Sequence, residues 1–117
     1  MITCEACLKR ARGLLNDTTV GAYRWTDDEL LSFLNASLDD FFAARSDMLV
    51  KPNGRNATPE ESMFFDLSGA VDFLPQKYAD AIAYGCAARA FELDDSDIKN
   101  IESAARCHAR AQQERMK

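Results

Sequence analysis

The chain of 117 residues is poor in the features by which membrane and secreted proteins are recognised. No segment approaches the roughly 18 to 20 consecutive apolar residues that a membrane-spanning helix needs. Charged residues interrupt the opening "MITCEACLKRAR", so the N-terminus has no apolar run of signal-peptide type. Apolar residues make up 47% of the chain and charged residues 28%, which is the balance of a globular protein. We therefore expect one intracellular domain.

The sequence also lacks the motifs that accompany catalysis. It has a single histidine, His108, and neither a GxSxG elbow nor a glycine-rich phosphate loop. Cys107 adjoins His108, but adjacent helical residues point in different directions, so the two are not a nucleophile and its base. We expect His108 to be a partly buried helix residue and the protein not to be an enzyme.

The four cysteines allow two interpretations. Cys4, Cys7, Cys107 and His108 are a chemically possible zinc set. However, the CxxC lies within a helical pattern rather than on a tight knuckle, which favours reduced thiols in or near the core. We expect no bound metal and no other cofactor.

Charge of either sign is unevenly distributed along the chain, whose formal net charge is −5. Asp and Glu dominate residues 27–97, which argues against nucleic acid as the main partner. Basic residues collect at the two ends: Lys9, Arg10 and Arg12, then Arg106, Arg110, Arg115 and Lys117. Such opposite poles suit subunits that pack head against side in a ring, or they are simply solvated.

Two helices are predicted in the first half of the chain. Residues 3–16 have apolar side chains at helical spacing behind Thr3, a suitable N-cap. In the second helix, Thr26 and Glu29 form a capping box, and Trp25 and Leu30 have the spacing of a hydrophobic staple. The apolar stripe of this helix, with two residues of the third, is the predicted core: Trp25, Leu30, Phe33, Leu34, Leu38, Phe41, Phe42, Tyr78 and Ile82.

The second half is predicted to hold two more helices after an insertion. Residues 51–74 are rich in turn formers and form a loop, a small hairpin or an irregular segment. The third helix begins near Pro75, and its many small residues allow a neighbouring helix to approach closely. The last begins near residue 97, with Ile98, Ile101, Ala104, Ala105 and His108 near one face, and residues 109–117 projecting as a polar tail. The predicted fold is thus all-α, a single small bundle of about four helices.

Three segments resemble the head–tail connector, or head-completion adaptor, proteins of tailed bacteriophages. "ARGLLND" followed by "YRWTDDELLSFLNASLDDFFAARSDML" is similar to the family's first helix and its Trp-led second helix. "LPQKYADAIAYGCAARAFELDDSD" is similar to its Leu-Pro-opened helix, and "NIESAARCHARAQQ" to its last one. The segments cover about two thirds of the chain. The aromatic residues common in the family's last helix are missing, and only residues 51–74 stand where some relatives carry a long β-rich insertion.

The resemblance implies a structural virion protein of the phage neck, assembled in the host cytoplasm. Such proteins form a homo-oligomeric ring, a dodecamer, beneath the portal protein and join it to tail or neck proteins. DNA is then only cargo passing through the channel, and no membrane is involved. The candidate partner interface consists of Lys51, Arg55, Arg106, Arg110, Arg115 and Lys117.

Two questions stay open at the level of sequence. Trp25 is either a core residue or an anchor between subunits. The closing segment from residue 102 to 117 also has the look of a basic recognition helix, which would make the protein a DNA-binding or packaging module like a terminase small subunit or a repressor. The acidic total argues against that alternative.

Overall fold

The computed structural model describes residues 2–16, 25–45, 70–71, 75–93 and 98–116. Four helices dominate this part of the chain: α1 (Cys4–Leu14), α2 (Asp27–Ala44), α3 (Ala79–Leu93) and α4 (Ile98–Arg115). A 3-10 turn, Gln76–Tyr78, leads into α3. The prediction of a small all-α bundle is confirmed. Lys51, Arg55, Lys117 and most of the 51–74 insertion lie outside the described residues.

The one strand pairing in the described part of the chain was not predicted. Strand β1 (Ile2–Thr3) pairs antiparallel with β2 (Ala70–Val71), with Ile2 opposite Val71. Two residues from the predicted insertion thus pair with the start of the chain. No hairpin signal indicated this, because the two strands are remote in sequence.

Side-chain hydrogen bonds cap the starts of α1 and α2, and a left-handed residue ends α1. The Thr3 side chain accepts from the Ala6 amide at the start of α1. Asn16 ends that helix at φ 56°, a left-handed conformation that asparagine adopts more readily than most residues. At α2 both halves of the capping box form: the Glu29 amide donates to Thr26 Oγ1 at 3.1 Å and the Thr26 amide to Glu29 Oε1 at 3.2 Å.

The core lies where α1, α2 and α3 meet. Leu30, Leu34, Leu38 and Phe41 on α2 are fully buried, and Phe33 and Phe42 pack against the same cluster. Trp25 is 9% exposed, and its ring meets that of Phe33 edge-on at 5.7 Å. Tyr78 and Ile82 complete the predicted set inside the core. Trp25 is therefore a core residue of the subunit.

Helix α3 is the central element, packing against each of the other three helices. Its buried face consists mainly of small residues, as predicted: Ala81, Ala83, Gly85, Cys86, Ala87, Ala88 and Ala90. At the crossing with α2, the Ser37 hydroxyl donates to the Ile82 carbonyl at 2.8 Å. Gly85 lies directly opposite Ser37, and a Cβ there would overlap the Ser37 hydroxyl. Small side chains thus bring the two backbones close together.

The packing of α4 shows which of its residues are buried, and it corrects the prediction of a projecting tail. Its buried residues are Ala104, Cys107, Ala111 and Glu114, whereas Ile101 is 52% exposed. The small residues, rather than the bulkier apolar ones, face α3, because its alanines leave room only for close approach. Residues 109–116 do not project as a tail, since α4 continues to Arg115 and Ala111 is fully buried. Arg45, at the end of α2, donates a hydrogen bond to the Arg115 carbonyl.

Candidate functional site

The two basic clusters at the ends of the sequence meet around one aromatic ring. The guanidinium carbons of Arg10 on α1 and Arg110 on α4 each lie 5.6 Å from the centroid of the Tyr84 ring on α3. Arg10 also donates to the Tyr84 hydroxyl at 3.4 Å. A guanidinium this close to a ring is attracted by its negative face. Residues separated by 74 positions in sequence are thereby brought together.

Helix geometry places these arginines at the rim of the packed faces. Burial of Cys7 and Ala11 on α1 leaves Arg10 at the exposed edge of that helix. On α4, burial of Cys107 and Ala111 does the same for the residues that precede them, Arg106 and Arg110. Arg106 and Arg110 are four residues apart and so lie on one side of α4.

An open groove of about 330 Å³ lies beside Tyr84, between α3 and α4. Leu14 and Phe91 contribute apolar surface, and Ser103 and Cys107 line it as well. Arg106 and Arg110 supply its positive charge. We call the surface formed by Arg10, Tyr84, Arg106 and Arg110 the basic groove. It combines apolar contact area with fixed cations, a chemistry suited to a carboxylate or phosphate carried on a larger partner.

The arginines of the basic groove differ in how far they are neutralised. Arg10 pairs with Asp80 at 3.5 Å, and Arg110 pairs with Glu114 at 3.0 Å. Arg106 donates only to the Ser103 hydroxyl, at 3.1 Å, and among the described residues it has no ion-pair partner. The charge of Arg106 is therefore the one most available to an incoming anion.

Helix α2 has the opposite character. It contains five Asp or Glu residues and no Lys or Arg. Two of the five are held within the subunit: Arg12 pairs with Asp27 at 2.6 Å, and Arg89 pairs with Asp40. Asp28 and Asp39 are exposed and, within the described ranges, make no ion pair. We call the exposed side of α2 that bears Asp28, Ser32 and Asp39 the acidic flank.

The predicted partner residues fall into three groups. Arg106 and Arg110 are exposed in the basic groove. Arg115 is half-buried at the end of α4, with its carbonyl bound by Arg45. Lys51, Arg55 and Lys117 lie outside the described residues. That any of these residues binds a partner stays a prediction.

Sequence reasoning missed Arg10 and Tyr84 as parts of one surface. Arg10 was noted only as one of the basic residues near the N-terminus, and Tyr84 had no role. No local pattern indicates their contact, because it depends on how α1 and α4 pack on α3. The overabundance of arginine at both chain ends was the only signal.

The cysteines do not gather into a metal site with His108. Cys4, Cys7 and Cys86 lie in the main core, whereas Cys107 packs with Ala87 and Ala88. Burial raises the pKa of Cys7 and of Cys86 to about 12, so both thiols stay protonated at neutral pH. His108 pairs instead with Glu92. No group of three or more potential metal ligands occurs in the described part of the chain.

A second open depression, of about 420 Å³, lies beside the His108–Glu92 pair, with Ile101, Ala104 and Ala105 on its walls. It contains four of the residues that were predicted to lie near one face of α4: Ile101, Ala104, Ala105 and His108. Ile101 and Ala105 are exposed there, whereas Ala104 is buried. None of the helices described is long and apolar enough to cross a membrane.

Comparison with protein-family models, with curated proteins and with solved structures finds no match to this chain.

Proposed function

We propose that this protein is a head–tail connector of a tailed bacteriophage, a structural protein that acts by contact and catalyses no reaction. Its copies form a dodecameric ring under the portal protein and join it to tail or neck proteins, so that DNA passes through the channel as cargo. The proposal places the protein in the virion neck, and in the host cytoplasm during assembly. It requires no cofactor.

The main support for this proposal is that the two oppositely charged surfaces lie on different flanks of the subunit. The acidic flank belongs to α2 and the basic groove to α1, α3 and α4, and the central α3 lies between α2 and most of α4. A subunit with unlike charges on separate flanks can repeat one heterologous contact around a ring. The resemblance supports the same function, because its segments supply the capped α2 and the small-residue α3 on which the bundle depends.

Electron microscopy of the protein mixed with the portal protein encoded beside it tests the proposal. We expect class averages with added ring density on the tail-facing end of the portal. Bare portals at saturating protein concentration would refute the connector function. Truncation at residue 109 is unsuitable as a variant, because it removes the buried Ala111 and Glu114. Lys51→Gln/Arg55→Gln tests the predicted portal contact instead, and Lys9→Gln/Lys77→Gln, which also removes two positive charges at exposed positions, is the control.

The convergence of Arg10, Arg106 and Arg110 favours a second candidate, a helical DNA-binding or packaging module. Three clustered guanidinium groups would release counterions from a phosphate backbone. Duplex binding should then weaken steeply with salt, and the slope of log K against log salt should become shallower by roughly two in Arg10→Gln/Arg106→Gln. Binding that is absent at low salt would remove this candidate.

A further inference from the structure

We propose that the basic groove of one copy receives the acidic flank of a second copy of the same chain. This inference rests on the ring in the proposed function and assigns its subunit contact to particular surfaces. Two observations support it. An open groove lined by arginines lies on one flank of α3, and α2, which contains no Lys or Arg, packs on another flank of α3.

The acidic flank has the shape of a helix that can approach a partner closely. Asp28, Ser32 and Asp39 lie at intervals of four and seven residues, so they share one side of α2. Small side chains stand beside the two carboxylates: Ser32 is exposed, and Ala36 and Ala43 continue the same side. Half-buried Asn35 lies between the two carboxylates, and half-buried Leu31 and Phe42 border this side of α2, so its exposed polar residues are the short side chains of Asp28, Ser32 and Asp39.

The basic groove matches this flank in chemistry. Arg106 makes no ion pair within the described part of the subunit. Arg10 forms an ion pair with the half-exposed Asp80, and Arg110 forms one with Glu114, four residues further along α4. A guanidinium binds a carboxylate through two parallel hydrogen bonds, which gives direction as well as attraction. Leu14 and Phe91 add apolar area that would be removed from water on contact. Among the described residues, Asp28 and Asp39 of the next copy are exposed carboxylates without an ion pair and can supply this anion.

A second copy fits the charge distribution better than nucleic acid does. The formal net charge is −5, and α2 alone contributes five carboxylates. A duplex presents negative charge along its whole length to a chain of net charge −5, whereas a second copy, although it has the same net charge, presents only the carboxylates of its acidic flank to the groove. Because the two surfaces lie on different flanks, each bound copy leaves one of each kind open, and the contact repeats.

Sedimentation of purified full-length protein at low salt tests this contact with two neutralised variants. Asp28→Asn/Asp39→Asn removes the charges of the acidic flank. Arg10→Gln/Arg106→Gln weakens the basic groove and keeps Arg110, which bonds the buried Glu114. Glu5→Gln/Glu92→Gln changes net charge as the first variant does, at exposed positions outside both surfaces. Thermal melting of each variant checks that it is folded.

We expect the wild type and the control to self-associate, with a Kd that rises roughly tenfold when salt is raised from 0.01 M to 0.1 M. Each neutralised variant alone should be monomeric. A 1:1 mixture of the two should give a heterodimer and nothing larger, because it contains only one working pair of surfaces. Head-to-tail contact alone predicts this result.

Other outcomes overturn the inference. A wild type that stays monomeric, a neutralised variant that associates as the wild type does, or a mixture that fails to dimerise would each exclude this contact. Loss of duplex binding in Arg10→Gln/Arg106→Gln, with self-association unchanged, would assign the groove to DNA. Portal decoration by a protein without self-association would keep the connector function and refute only this contact, whereas self-association beside bare portals would do the reverse.

Discussion

Replacing Gly85 with alanine tests the close approach of α2 and α3. An added Cβ would lie 3.0 Å from the Ser37 Cβ and would overlap the Ser37 hydroxyl. That hydroxyl is fully buried and hydrogen-bonded to the Ile82 carbonyl, so it cannot simply turn towards water. Overpacking of this kind costs about 1–3 kcal/mol, whereas the higher helix propensity of alanine returns about 1 kcal/mol. Because the overlap with the Ser37 hydroxyl is severe, the cost falls at the upper end of that range, and we expect Gly85→Ala to lower the free energy of unfolding by about 2 kcal/mol.

In a Ser37→Gly background, the same substitution should raise the free energy of unfolding instead of lowering it. Without the Ser37 side chain, the nearest Ser37 atom to the new Cβ is the Cα at 3.8 Å, which is ordinary van der Waals contact. Only the propensity term then remains, so Gly85→Ala should stabilise the Ser37→Gly protein by about 0.5–1 kcal/mol. The difference between the two backgrounds is the coupling energy of the contact.

Urea unfolding followed by circular dichroism measures all four proteins of this cycle. Gly13→Ala is the matched control, because a Cβ at this exposed position of α1 meets no atom within 4 Å. It should stabilise the protein by about 0.5 kcal/mol, since Gly13 lies in the last turn, where helix propensity counts for less. Equal effects of Gly85→Ala in the two backgrounds would refute the close-approach argument.

Three further predictions concern buried groups. Arg12→Met should lower the free energy of unfolding by about 2 kcal/mol in urea titration, because the Trp25 carbonyl loses its 2.9 Å hydrogen bond from Arg12 and Asp27 loses its ion pair with Arg12. Asp27→Asn keeps the hydrogen bond from Arg12 to Trp25 and should cost under about 1 kcal/mol. Trp25→Ala should cost about 3 kcal/mol in the same assay, and Trp25→Phe clearly less; lost assembly with unchanged stability would contradict its place in the core. Since the pKa values of Cys7 and Cys86 are raised from 9.0 to about 12, the unfolded chain ionises first, and the free energy of unfolding should fall as pH rises from 9 towards 12. Cys7→Ala/Cys86→Ala should show a shallower fall in denaturant titrations over that range, and an identical slope would count against burial of the thiols.

The parts of the fold that sequence predicts are those determined by near neighbours. The caps at Thr3 and Thr26 depend on groups three residues away, and the α2 stripe depends on a spacing of three and four. The small residues of α3 predicted close helix packing, although not that Gly85 would meet Ser37.

The parts that sequence does not predict depend on which helix packs where. Periodicity on α4 placed Ile101, Ala104 and His108 near one face, of which Ala104 is buried and His108 half-buried, whereas Ile101 is exposed. The burial of Cys107 and Ala111 depends on the close approach to α3 and was not predicted. The basic groove could not be predicted for the same reason, since its members come from three helices. Only the accumulation of arginine at both chain ends hinted at it.

The central position of α3 also has a consequence for the order of folding. Only residues 94–97 separate α3 from α4, whereas residues 45–78 separate α2 from α3. Closing the longer connection costs about 2 kcal/mol more in chain entropy, by the logarithmic dependence on loop length. We therefore expect the α3–α4 pair to form early and α2 to dock on it later, with its Ser37–Gly85 contact. Weakening that contact should hasten unfolding and leave the rate of folding nearly unchanged.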